Sequence, residues 1–148
     1  MKKIFASFLI LVIFLSSCGY GAEKYIPKGY VESDEHWDEN GFQDYTDFCV
    51  YRYESSDSVR SHSKYCEMTE NDIDEIKGYF SHFASVMEVE KRLEEYTFSE
   101  TYISAGDYFY LKTEPLMMDG EVIDKYADYS LYYFDIETLT LYYIHTNI

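Results

Sequence analysis

The clearest pattern in this chain is an apolar stripe between residues 70 and 95. Its members recur three or four residues apart, which places them on one side of an α-helix; they are Ile73, Ile76, Phe80, Phe83 and Met87. Thr69 and Asp72 stand three residues apart at its start, the spacing of a reciprocal N-terminal cap. The spacing predicts a helix over residues 70–95, with Phe80 and Phe83 buried at the middle of the stripe.

The segments around this helix are rich in aromatic and β-branched residues, as strands are, and after it the apolar period changes to two. The pattern predicts one strand before the helix and four after it, at residues 47–53, 97–104, 107–113, 129–136 and 140–147. The segment "DIETL" suits a short turn between the last two strands. Asp119-Gly120, between "PLMM" and "EVI", is a turn signal that predicts a further small hairpin.

The predicted order is β-α-β-β-β-β, and hairpin connections imply an antiparallel sheet of four to five strands. One amphipathic helix must cover one face of that sheet, which makes residues 44–148 a single α+β domain. This order resembles cystatin-like folds, in which a sheet wraps around one helix. The likeness is one of fold and implies no function.

The N-terminus carries a different kind of pattern. Lys2 and Lys3 precede an apolar run at residues 4–15, which has the length of a signal-peptide core and is too short to span a membrane. Leu15-Ser16-Ser17-Cys18 follows at once and resembles the lipobox of bacterial lipoproteins. The resemblance implies a signal peptide of residues 1–17, cleavage before Cys18 and a diacylglycerol anchor on its thiol, together with palmitate or a similar acyl chain.

This resemblance places the protein in the bacterial cell envelope, facing outside the cytoplasm and attached to the membrane through Cys18. Two alternatives stay open: cleavage by an ordinary signal peptidase near residues 19–21, and an uncleaved anchor. Residues 18–43 contain Gly, Pro and the polar run "ESDEHWDENG" without a regular period, which predicts a flexible tether.

Part of the tether half-matches a calcium-binding loop. Asp38, Asn40, Gly41 and Asp47 fall at loop positions 3, 5, 6 and 12. His36 stands at position 1, where an acid is required, and position 12 lacks the bidentate Glu. We therefore expect no metal here, and the sequence indicates no cofactor.

The charge balance limits the partners. The chain holds 12 basic and 28 acidic residues, a formal charge of −16, and two of the basic residues lie in the predicted signal peptide. Cleavage would leave 10 basic against 28 acidic residues, a formal charge of −18. Because phosphate binding needs a basic patch, we expect no nucleic-acid partner. A cationic partner and mere solubility are both consistent with the charge.

Cys49 and Cys66 are the other cysteines. Export would take them out of the reducing cytoplasm, so we predict a disulfide between them. The alternative is a pair of buried free thiols.

The four histidines are scattered: His36 in the tether, His62 in a polar loop, His82 on the helix and His145 in the last strand. No motif of a hydrolase or phosphate loop accompanies them, so no catalytic residue is assigned. Catalytic triads assemble in space, however, and a small envelope hydrolase stays open as an alternative function.

Tyrosine is unusually frequent, with 18 in the chain. Tyr132-Tyr133 and Tyr142-Tyr143 put an aromatic ring on each face of both C-terminal strands. One face would cover the helix, and the other is a candidate binding face for a protein or glycan. The alternative is that the rings reflect strand propensity and cross-strand pairing. The leading functional hypothesis is a lipid-anchored interaction module, with a hydrolase or a structural lipoprotein as alternatives.

Overall fold

Strands account for most of the regular structure in the computed structural model, which describes residues 21–38 and 45–147. The strands are β1 (Tyr30–His36), β2 (Tyr45–Tyr53), β3 (Cys66–Glu67), β4 (Tyr108–Thr113), β5 (Leu116–Met118), β6 (Glu121–Asp124), β7 (Asp128–Asp135) and β8 (Thr140–Asn147). The helices are α1 (Asp57–Arg60) and α2 (Ile73–Val89), and short 3-10 turns lie at Glu23–Tyr25, Leu93–Glu95 and Glu100–Tyr102.

Six strands form one antiparallel sheet in the order β1-β2-β8-β7-β4-β3, while β5 and β6 form a separate two-stranded sheet. β2 precedes the main helix in sequence but pairs with the last strand, β8. The last strand of the chain therefore lies inside the sheet, between β2 and β7. The predicted α+β class with an antiparallel sheet is confirmed, and the sheet has more strands than predicted.

Four predicted strands are confirmed with small shifts of their ends, as β2, β4, β7 and β8. The hairpin predicted at Asp119-Gly120 is also confirmed, as β5 and β6. Both turn residues have positive φ angles, 52° and 86°, which is the backbone conformation that favours an Asp-Gly pair in a tight hairpin.

The strand predicted at residues 97–104 is wrong. This segment contains the 3-10 turn Glu100–Tyr102, and the Ser99 side chain accepts a hydrogen bond from the Thr101 N–H at its start. Phe98 and Ile103 flank the turn and are buried against the helix side of the sheet. The segment was taken for a strand because it is rich in aromatic and β-branched residues.

The flexible tether predicted for residues 18–43 is wrong where the chain forms β1. This strand pairs with β2 from Tyr30 to His36, and its side chains are mostly exposed. An edge strand bonds to a single neighbour and tolerates charged side chains, so its polar sequence carries little alternation. The folded domain therefore includes residues before the predicted boundary at residue 44.

The main helix, α2, begins at Ile73, three residues later than predicted, and only half of the predicted reciprocal cap is present. The Asp72 carboxylate accepts hydrogen bonds from the backbone N–H and the hydroxyl of Thr69, at 2.8 and 2.6 Å. The helix ends at Val89 instead of residue 95, and Lys91 beyond it has a left-handed φ of 60°, which stops a helix. Phe80 and Phe83 are fully buried, as predicted.

The sheet has an apolar cluster on each face. α2 packs on one face, where Phe80 and Phe83 meet Tyr133 and Tyr142. The opposite cluster contains Tyr132 and Tyr143 from the sheet, and the side chains that cover them are Ala22, Tyr25, Ile26, Trp37, Val59 and Tyr65. The N-terminal segment and α1 therefore cover the sheet face that the sequence analysis predicted to be exposed.

Candidate functional site

The four tyrosines predicted to form a binding face are all buried, with at most 8% of their surface exposed. Tyr132 and Tyr143 are directly paired on the face away from α2, with ring centroids 4.7 Å apart. Tyr133 and Tyr142 are paired on the helix side. The candidate binding face is therefore wrong, because the N-terminal segment covers the tyrosines that do not meet the helix.

Three tyrosine hydroxyls hold that segment in place. Tyr53 donates to the carbonyl oxygen of Pro27 at 2.7 Å, Tyr65 to that of Tyr25 at 3.0 Å, and Tyr132 to that of Ala22 at 3.2 Å. Residues 22–27 are thus fixed on the sheet. Cys18 itself lies outside the described residues.

The predicted disulfide is also wrong: Cys49 is a buried free thiol and Cys66 an exposed one. Cys49 lies on β2 and Cys66 on β3, the second and last strands in the sheet order. Four strand spacings separate them, on the order of 19 Å at about 4.8 Å each. A disulfide requires Cα atoms within about 7 Å.

His145 lies closest to a catalytic arrangement. Its Nδ1 is 2.9 Å from the Ser130 hydroxyl, which suggests a nucleophile and its base. The same Nδ1 is 2.8 Å from the carbonyl oxygen of Tyr129, and a carbonyl can only accept, so this nitrogen carries the proton. It cannot then remove a proton from Ser130, and the pair is structural.

His82 is similarly placed among aromatic groups. Its Nδ1 lies 3.2 Å from the Tyr129 hydroxyl, which also donates to the carbonyl oxygen of Tyr79. Burial lowers the pKa of both His82 and His145 below the ordinary value of 6.5. His36 lies in β1 and His62 follows α1, so the structure brings no two of the four histidines into one site.

Arg92 gathers several polar groups just beyond α2. Its guanidinium donates to the carboxylate of Glu95 at 2.8 Å and to the backbone and hydroxyl oxygens of Thr46 at 3.0 and 2.9 Å. Carboxylate oxygens of Glu90 and Asp38 lie 3.7 and 3.9 Å away. The cluster ties the end of the helix to β2 and to the end of β1.

Asp47 lies beside this cluster and is nearly buried. Burial raises the pKa of its carboxyl from 3.8 to about 6, and the nearby charge of Asp38 adds to the rise. Its Oδ1 accepts a hydrogen bond from the backbone N–H of Asp38 at 2.9 Å. These are two residues of the calcium half-match, of which Asn40 and Gly41 lie outside the described residues. In the described part of the chain, no group of three or more metal-ligating side chains is present.

The feature that does present a surface is the hairpin of β5 and β6, here called the apolar hairpin (residues 116–124). Its five large apolar side chains are between 49% and 63% exposed; they are Leu116, Met117, Met118, Val122 and Ile123. The sequence predicted the hairpin but no role for it. The available signal was the apolar stretches Leu116–Met118 before the turn and Val122-Ile123 after it, which lack the polar alternation of a solvated strand.

The apolar hairpin is firmly attached at its base. Tyr126 follows β6 and stacks on His82 with ring centroids 4.6 Å apart and an interplanar angle of 8°. It also meets the edge of Tyr79, and Lys125 lies over its ring. Gly78 makes room for this contact, because a Cβ there would lie 2.9 Å from the Tyr126 hydroxyl oxygen. The glycine off the helix stripe is thus a notch for the base of the hairpin.

No helix within residues 21–38 and 45–147 is long and apolar enough to cross a membrane. Comparisons with protein families, with curated proteins and with solved structures found no match.

Proposed function

We propose that this chain is a lipid-anchored, extracytoplasmic interaction module of the bacterial cell envelope that binds another protein through the apolar hairpin. The observation that carries the proposal is the set of five exposed apolar side chains on one projecting element. Soluble domains rarely leave large apolar patches uncovered, and those that they do expose are commonly interaction sites.

The hairpin contributes little to the core, which supports a role outside folding. Its residues belong to neither buried cluster, whereas Tyr126 at its base packs against the helix-side cluster. A two-stranded hairpin is only marginally stable in water by itself. The notch at Gly78 and the stack on His82 hold the base, so the apolar side chains are presented on a supported element.

A protein partner suits this surface better than a glycan. Glycan binding relies on exposed aromatic rings, and the candidate tyrosines lie inside the fold. The apolar hairpin offers aliphatic and thioether side chains, and methionine adapts well to irregular protein surfaces. The cystatin-like likeness, one helix laid across an antiparallel sheet, concerns architecture and adds no argument about the partner.

The anchor would hold the domain close to the membrane. If Cys18 carries the lipid, it lies four Cα-to-Cα steps along the chain from Ala22, whose carbonyl oxygen is fixed by Tyr132. A chain of that length reaches at most about 14 Å. The lipid-bearing end therefore does not act as a long leash, and a partner would be met near the membrane surface.

Photocrosslinking tests the proposal. The full chain is produced in its bacterial host with benzoylphenylalanine at Ile123, and in a control at Val89, an exposed apolar residue at the end of α2. The account predicts a discrete protein adduct after irradiation of intact cells at position 123 and none at position 89. Equal adducts at both positions, or none at position 123, would contradict it.

A further inference from the structure

The structure points to the chemistry of the partner, and the inference rests on the proposed function above. We propose that the apolar hairpin inserts into an apolar groove of a second protein whose rim carries lysine or arginine side chains. Two features of the hairpin lead to this: apolar side chains on both of its faces, and a tip of one charge sign.

Cross-strand pairing shows that both faces are apolar. Met117 is paired with Val122 and shares a face with it, while Met118 is paired with Glu121 on the other face. Leu116 and Met118 both neighbour Met117 in β5, so their side chains point to the face opposite Met117. A flat partner would cover one of these faces and leave the other in water. A groove with two walls covers both.

The charged residues at the tip of the hairpin are both acidic. Asp119 and Glu121 stand at and beside the turn, and neither has an ion-pair partner among the described residues. The nearest lysines in sequence are engaged at the base: Lys112 lies 2.9 Å from Glu114, and Lys125 lies over the ring of Tyr126. A partner that closes around the tip must place cationic groups beside these two carboxylates.

The same charges disfavour two other occupants. A second copy would bring an identical acidic tip and a formal charge of −16 to the contact. A bilayer surface carries anionic headgroups, and elements that insert into it are typically basic on their polar side. A basic-rimmed protein groove is the occupant that satisfies both the apolar faces and the acidic tip.

The test uses the full chain with benzoylphenylalanine at Ile123 in two backgrounds. Asp119→Asn/Glu121→Gln removes both tip charges, and asparagine keeps the left-handed turn conformation that Asp119 adopts. Glu70→Gln/Glu88→Gln removes two exposed acids of the α2 region and is the matched control. Adduct yield is measured on isolated membranes in about 0.1 M and about 1 M NaCl, which shortens the Debye length from about 10 Å to about 3 Å.

We expect the tip variant to lower the yield of a protein adduct about tenfold, and the control variant to leave it unchanged. High salt should lower the yield of the parent and have little effect on the tip variant. A yield that is equal in the tip variant and the parent would overturn the basic rim while leaving the interaction itself intact. An adduct with the mass of two copies of the chain, or an adduct with lipid, would overturn the proposal that the hairpin binds a groove in a second protein. The absence of any adduct would overturn both proposals.

Discussion

At the scale of single residues, burial sets the behaviour of the ionisable groups. Asp47 is 6% exposed and lies near Asp38, so its carboxyl keeps its proton to an unusually high pH, with a pKa of about 6. A carboxyl with an unperturbed pKa of 3.8 in the unfolded chain releases that proton earlier. The folded state therefore binds more protons between these two values, and this residue's contribution to stability falls as the pH rises through them.

Asp47→Asn should accordingly stabilise the protein at pH 7.5. The amide keeps an oxygen that can accept the Asp38 N–H and removes the buried charge, so we expect a gain of about 1 to 3 kcal/mol in the free energy of unfolding. At pH 3.5, where the parent carboxyl is protonated, the gain should vanish. Urea unfolding at both pH values measures it, with the exposed Asp74→Asn as control. A gain of the same size at both pH values would show that charge is not the cause.

Gly78 gives a second residue-scale prediction. Alanine is normally favoured over glycine inside a helix by about 1 kcal/mol. Here the added Cβ would meet the Tyr126 hydroxyl at 2.9 Å, so Gly78→Ala should gain nothing or destabilise. In a Tyr126→Phe background, which lacks that oxygen, the same change should stabilise by about 0.5 to 1 kcal/mol. The free energy of unfolding is measured with urea in both backgrounds. Equal effects of the alanine would show that contact with the Tyr126 hydroxyl does not disfavour a side chain at residue 78.

At the scale of elements, the sequence predicted what local patterns encode. The stripe of α2 and the aromatic strands β2, β4, β7 and β8 were found because each repeats with its own period. β1 was missed because an edge strand with polar side chains has no apolar period. The turn at Glu100–Tyr102 was taken for a strand because its segment is rich in aromatic and β-branched residues. Whether such a segment forms a strand depends on its pairing with distant segments, and the local sequence period carries no information about that pairing.

The N-terminal segment supplies a prediction at this scale. Tyr53, Tyr65 and Tyr132 hold residues 22–27 by their hydroxyls, so replacing all three with phenylalanine should keep their packing and release the segment. Lys24 and Lys28 are exposed trypsin sites there. We expect limited trypsin digestion at these lysines to become about tenfold faster, while cleavage at Lys91 keeps its rate. Unchanged cleavage at Lys24 and Lys28 would mean that the hydroxyls do not hold the segment.

At the scale of the whole molecule, the tyrosines form two buried layers, one on each side of a single sheet. This arrangement explains why the candidate binding face failed, because a distant part of the chain covers Tyr132 and Tyr143. The disulfide was predicted because export would leave two thiols outside the reducing cytoplasm, and it failed because Cys49 and Cys66 lie on strands far apart in the sheet order. The apolar hairpin was visible in the sequence, but its exposure depends on where the rest of the chain packs.

The most direct test of the central claim separates binding from folding in the apolar hairpin. Met117→Ser/Val122→Ser removes two exposed side chains that share a face and belong to neither core cluster. The account predicts that the midpoint of thermal unfolding stays within about 3 °C of the parent, as for surface substitutions. The yield of the protein adduct at Ile123 in intact cells should fall about tenfold in the same variant. An unchanged adduct yield, or a loss of adduct accompanied by a large drop in the unfolding midpoint, would contradict the role of the hairpin as a docking element.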